Sequence, residues 1–265
     1  MKISGICACL LFTLFGFGPA SFAADWKELR GEHFMVFYAQ EEAQARQVLD
    51  SAEVFYRRIA SQLGYPRYSE FWTWDKRVKI YIYPDHDSFL KATGQPKWSQ
   101  GIADYNAKQI ISFAWSSGFV ESLLPHEIAH LIFRDFVGFK GEVPLWLDEG
   151  VAQWTEEWKR QQVNGIAGGL LKKGALIPLK KLMTLDIRGI KEGKDSGALI
   201  NTYYIQSVSL VTFLIQRFGL NSFTDFCRQL REGKTLEEAL RSAYPAHIQS
   251  IDELEKKWKE YLAAQ

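Results

Sequence analysis

The segment LLPHEIAHLIF, Leu123 to Phe133, places two histidines, His126 and His130, four residues apart, with Glu127 directly after the first. On an α-helix, positions four apart lie on one face, so the two imidazoles can address a single metal ion. Glu127, one residue on, can reach a metal-bound water without being a ligand itself. Pro125 lacks an N–H, so it belongs in the first turn of this helix or at a bend that closes an earlier turn. Leu124, Ile128, Ala129, Leu131 and Ile132 surround the polar residues, which predicts a largely buried helix. Buried polar groups need partners, and a metal satisfies both rings. Two of the chain's five histidines fall within these five residues.

Upstream of this segment the pattern is mixed α and β. EHFMVFYA (32–39), RVKIYIYPD (77–85) and AKQIISFA (107–114) alternate apolar and polar residues, which predicts strands. EEAQARQVLDSAEVFYRRIASQLG (41–64) carries Val48, Leu49, Ala52, Phe55, Ile59 and Leu63 at helical spacing, with Gly64 at the capping position. A short helix is expected through Phe89, and QPKWSQGIADYN (95–106) reads as a loop. Downstream, helices are predicted over roughly 119–136, 144–160, 202–218, 221–232, 235–243 and 250–263. The glycines and charges of 161–200 predict loops around one short helix at 178–184. The fold class is α+β. A small mixed sheet lobe with helices (24–118) precedes a mainly helical lobe (119–265), in one integrated domain with the site between the lobes.

Residues 1–23 read as a secretory signal peptide, with Lys2, an apolar run to Gly18 and a small-residue site ending at Ala23. Its destination is an exported compartment, periplasmic or secreted. The apolar run is short for a bilayer span, and no second span is expected after it. Without this segment 31 basic residues balance 31 acidic ones, so neither nucleic acid nor an anionic membrane surface is indicated as a partner. Cys7 and Cys9 leave with the signal, and the remaining Cys227 has no intramolecular disulfide partner and reads as a small core residue.

A third ligand would decide the class of metal site. LIFRDFVG follows HEIAH without the glycine and histidine that a metzincin requires. PLWLDEGVAQWTEE (144–157) comes next, and Glu149 follows His130 with eighteen residues between them. HEIAH followed at that distance by WLDEG resembles the gluzincin metallopeptidases, and most closely the bacterial peptidase MA-like family. The resemblance implies a zincin-like fold, Zn²⁺ held by His126, His130 and Glu149, and Glu127 as general base. Three protein ligands would leave an open position for water, as catalytic zinc needs. Asp148 points about 100° away from Glu149 on the same helix and cannot share its role. Gly150 would let this helix approach the HEIAH helix closely. Gln153, one turn beyond Glu149, is a candidate outer partner of the site, although a plain surface residue accounts for it equally.

Peptide hydrolysis also needs a donor for the oxyanion. NTYYIQSVSLVTFLIQRFG (201–219) is similar to the family's Y-x-x-S helix, which implies Tyr204 as the donor, with Tyr203 as the alternative and His247 as a weaker candidate. A tyrosine on an apolar helix is equally a core residue. AKQIISFA is expected to receive substrate by strand addition. GIADYN (101–106) lies where related aminopeptidases carry G-x-M-E-N, so Asp104 is a candidate amine anchor, although a loop carboxylate accounts for it as well. His33 and His86 read as a strand-end and a turn residue. The expected function is an exported zinc metallopeptidase acting on a peptide or protein substrate. The alternatives are a catalytically silent zinc-containing binding or scaffold protein, and a non-peptidase zinc hydrolase.

Overall fold

A computed structural model describes residues 25–64, 72–73, 76–97, 99–116, 118–138, 143–190 and 196–265. The expected signal peptide lies outside the described residues. The chain divides into two compact units, one of residues 1–61 and 65–131, the other of 62–64 and 132–265.

The first unit is built on a five-stranded mixed sheet of order β1-β2-β3-β5-β4, with β1 Lys27–Arg30, β2 Phe34–Tyr38, β3 Val78–Tyr83, β4 Gly101–Asp104 and β5 Gln109–Phe113. The central pairs β2–β3 and β3–β5 are parallel and the outer pairs are antiparallel. Parallel neighbours need a crossover. Helix α1 Glu42–Gln62 connects β2 to β3, and α2 His86–Thr93 follows β3. The register sets Phe34 beside Val78, Val36 beside Ile80, and Ile80 in turn beside Ile110, all fully buried. A one-residue slip would turn this row out of the core. The α1 ring that joins the core is Tyr56, edge-on to Phe34 at 6.2 Å, rather than the expected Phe55. Gly64 adopts the left-handed conformation (φ 78°) just after α1, as its capping position predicts.

Two strands escape the sequence reading, β1 and β4. Because β4 pairs outside β5, AKQIISFA is an interior strand, and the free edge on that side belongs to β4. This corrects the expectation that AKQIISFA itself receives an extended ligand. Gly101 opens β4, and a Cβ there would stand 2.5 Å from Leu123 Cδ2 and 3.0 Å from Ile111 O. The absent side chain lets β4 lie against the chain entering the next helix. That entry is a π-helical turn, Phe119–Leu123, followed without a break by α3 Leu124–Val137. Pro125 therefore stands where the π-helical turn passes into α3, the place of a bend that closes an earlier turn.

The second unit is helical. Helix α4 Leu145–Trp154 is buried from Trp146 to Trp154 and packs along α7 Ser196–Phe218. The expected single helix over 144–160 is two helices, because α4 ends at Thr155 and α5 Glu157–Lys172 begins two residues later. Helix α5 also overturns the loop reading of GIAGG. A Cβ on Gly168 would stand 3.4 Å from Leu262 O of α10 Ile251–Ala263, whereas one on Gly165 or Gly169 would meet nothing within 4 Å. The short helix expected near 178–184 is α6 Leu179–Leu182. Gln206 of α7 brackets the backbone of Ile177 ahead of α6, accepting from its N–H at 2.6 Å and donating to its carbonyl at 2.9 Å. Helices α8 Leu220–Arg231 and α9 Leu236–Ala243 pack on each other. Helix α7 is long and apolar enough to cross a membrane by length and composition alone, a test that the buried core helix of a folded domain also passes. Of its apolar window, 67% is buried inside the protein, as in a core helix. Cys227 is fully buried on α8, and burial pushes its thiol up, which suits packing rather than nucleophilic chemistry.

Candidate metal centre

Helix α3 carries His126 and His130 one turn apart, both buried. Their Nε2 atoms lie 3.1 Å from each other, with the rings near perpendicular at 83°. Two nitrogens bound to one tetrahedral zinc at ~2.05 Å would stand about 3.3 Å apart. One ligand atom from each of His126, His130 and Glu149 lies within 4.8 Å of the other two. Two imidazoles and a carboxylate are a donor set that suits zinc. The residues that the sequence brought forward as ligands thus form one buried group that could hold a metal ion.

Two helices place the three members, α3 the histidines and α4 Glu149. All nine residues from Trp146 to Trp154 are buried, so α4 is enclosed on every face. Gly150 fixes its depth, since a Cβ there would meet Ser207 O at 2.6 Å and Val211 Cγ2 at 2.8 Å. The close approach expected of Gly150 is therefore made to α7, not to the HEIAH helix. Asp148, wholly buried beside Glu149, takes a different partner. Arg134, one turn beyond His130, donates to its Oδ2 from Nη2 at 2.6 Å and from Nε at 3.2 Å. Gln153 is buried on α4 one turn beyond Glu149.

Glu127, 3% exposed, accepts a hydrogen bond at Oε2 from the Tyr105 hydroxyl at 2.9 Å. The Tyr105 ring also stands edge-on to the His130 ring, with centroids 5.6 Å apart. Sequence reading missed Tyr105. The available signal was turn chemistry. Asp104-Tyr105-Asn106 follows a short run and precedes an alternating one, which is a hairpin pattern. Asp104 itself, weighed as an amine anchor, is occupied within that turn. Its Oδ1 accepts from Asn106 N at 3.0 Å and from Ala107 N at 2.9 Å.

The two tyrosines of α7 differ. Tyr203 is fully buried and its hydroxyl has no hydrogen-bond partner among the described residues. Burial first, and the charge of Glu149 second, hold that hydroxyl protonated far above the ordinary tyrosine range. Tyr204 is 7% exposed, with its ring edge-on to that of Tyr203. His247 is exposed and lies against Phe218, with ring centroids 5.2 Å apart.

Glu32, His33 and Glu53 also bring three ligand atoms within 4.8 Å. Here His33 Nδ1 meets Glu53 Oε2 at 2.7 Å, and the His33 N–H donates to Glu53 Oε1 at 2.8 Å. The group ties the start of β2 to α1. His86 opens α2 and bonds Ser99 O through Nε2 at 3.0 Å.

A comparison with curated proteins finds no match. The sequence profile of the Peptidase MA superfamily matches residues 72–264, a span that holds His126, Glu127, His130 and Glu149. This match covers well over half of the sequence, and the chain belongs to the Peptidase MA superfamily.

Proposed function

We propose that the protein is a zinc-dependent metallopeptidase of gluzincin type, exported by the signal peptide read over residues 1–23 and acting in the periplasm or outside the cell on peptide or protein substrates. The observation that carries this reading is the convergence of His126 Nε2 and His130 Nε2 at 3.1 Å, with Glu149 in the same buried group. His126, His130 and Glu149 would hold the zinc. When bound, the ion supplies Lewis acidity toward water and the substrate carbonyl.

The chain's own residues supply the rest. Glu127 takes the proton of the attacking water and returns one to the leaving amine. Its Oε2 is engaged by Tyr105, so Oε1 is the oxygen assigned to the moving proton. Tyr204 is assigned as the oxyanion donor, because Tyr203 is wholly enclosed and lies within the field of Glu149. Among the described residues β4 is an edge strand and leads directly to Tyr105, so an extended peptide added along β4 would pass beside Glu127.

The test is a peptide-library digest by the zinc-loaded protein, read by mass spectrometry beside Glu127→Gln and with zinc measured in both. Cuts by the wild type that fall about a thousandfold in Glu127→Gln, with zinc retained, are expected. Equal behaviour of the two proteins with zinc bound in both would refute the mechanism and favour a zinc-containing binding protein.

A further inference from the structure

A carboxylate that must receive and return one proton works best when held in a single orientation, because misplacement by an ångström is costly. Glu127 has ionic oxygens with about four acceptor sites between them. One oxygen is engaged at 2.9 Å by Tyr105. The Tyr105 ring in turn is seated against His130, so hydroxyl and ring touch the base and a candidate ligand together.

The placement of Tyr105 is built into the hairpin. β4 and β5 pair antiparallel, from Gly101 opposite Ser112 to Asp104 opposite Gln109. Asp104 closes the turn by accepting from two successive backbone N–H groups, and Lys108 completes it in the left-handed conformation at φ 51°. Gly101, at the other end of β4, allows the strand to lie against Leu123, three residues before His126. The hairpin is thereby anchored at both ends, and Tyr105 projects from it onto Glu127.

We infer that Tyr105 is a positioning residue of the reaction: its hydroxyl holds Glu127 Oε2 and leaves Oε1 to handle the proton, while Asp104 shapes the turn that aims it. The inference deepens the metallopeptidase reading and rests on it. It gives the GIADYN segment a role in orienting the base rather than in holding a substrate amine.

The test compares wild type, Tyr105→Phe, Glu127→Gln and the double variant, each with melting temperature and zinc affinity by chelator competition. Tyr105→Phe keeps the ring on His130 and removes only the hydroxyl. Losing a hydrogen bond to a charged group is expected to lower kcat about ten- to a hundredfold at unchanged KM and zinc affinity. In the Glu127→Gln background the same change is expected to do nothing further, because Tyr105 acts through Glu127. A readout independent of turnover is acetohydroxamate binding to the Co²⁺-loaded protein, followed by visible absorption. Its hydroxyl proton calls on the same oxygen of Glu127, so affinity is expected to fall about tenfold in Tyr105→Phe.

Unchanged kcat and unchanged acetohydroxamate affinity would overturn the inference. So would a loss of zinc or of folding stability large enough to account for the kinetic change. If the wild type binds zinc yet cleaves no peptide, the proposed function fails. The acetohydroxamate comparison then decides Tyr105 alone: weaker binding in the variant upholds the positioning role, and equal binding ends it.

Discussion

Among the described residues, two groups of histidine and glutamate satisfy the same requirement of proximity, and they are unlike in how their atoms meet. At the start of β2, His33 and Glu53 face each other as donor and acceptor, at 2.7 Å and 2.8 Å. Glu32, the exposed third member, lies on the opposite ring nitrogen, 3.9 Å from Nε2. The three carboxylate and imidazole groups address different points. At α3, by contrast, like atoms converge, with two Nε2 nitrogens 3.1 Å apart and a carboxylate in the same group. Complementary atoms at His33 and Glu53 satisfy one another as hydrogen bonds, whereas the two imidazole nitrogens and the carboxylate at α3 gather as a buried group that could hold a cation.

The contrast is broken most directly by deleting one histidine from each group. His130→Ala is expected to weaken zinc binding by more than the about hundredfold that loss of an outer partner brings. His33→Ala is expected to leave zinc affinity unchanged, and metal analysis after dialysis against a chelator reads both. A zinc loss in His33→Ala would erase the distinction.

A smaller effect concerns Asp148, the buried carboxylate beside Glu149 that meets a cation from its own chain. Arg134→Ala leaves Asp148 buried without its guanidinium and is expected to cost about 3 kcal/mol in urea unfolding. A cost below about 1 kcal/mol would show that water replaces the arginine.

The smallest effect sharpens the account of Glu53. Burial alone would raise its pKa. The hydrogen bonds from the His33 ring and backbone, with the His33 charge and the Phe34 N–H, together hold it below the ordinary 4.5. Its ionised form therefore favours the fold, and that contribution is present above the ordinary value and lost as pH falls through the depressed one. Thermal melts from pH 6 down to pH 3 are expected to fall less steeply for Glu53→Gln than for the wild type. Parallel curves would mean that the pair contributes nothing to acid stability.

What could be read from the sequence divides along the distance over which information is encoded. HEIAH and WLDEG are local patterns. Helical spacing dictates which side chains share a face, and the three candidate ligands do come together. The α+β order was legible for the same reason, since β2, β3 and α1 carry clean periodicities. Tyr105 was not legible, because it meets Glu127 only after β4 pairs with β5, and β4 is four residues that start with glycine and end with aspartate. The glycines of α5 misled in the same way. Gly168 signals a loop locally, and only the carbonyl of Leu262, far along the chain, explains why it sits in a helix.

Gly150 carries a consequence for how substitutions in this protein would be tolerated. It contributes no atom to the chemistry, yet any side chain would collide with the Ser207 carbonyl and drive α4 outward. The adjoining Glu149 would be carried along by a comparable fraction of an ångström or more, on the scale at which coordination is won or lost. Position 150 thus inherits the intolerance of a candidate ligand without being one. A mutational map of the protein would contain an inert residue among its most sensitive sites, and screening polar side chains alone would pass over it.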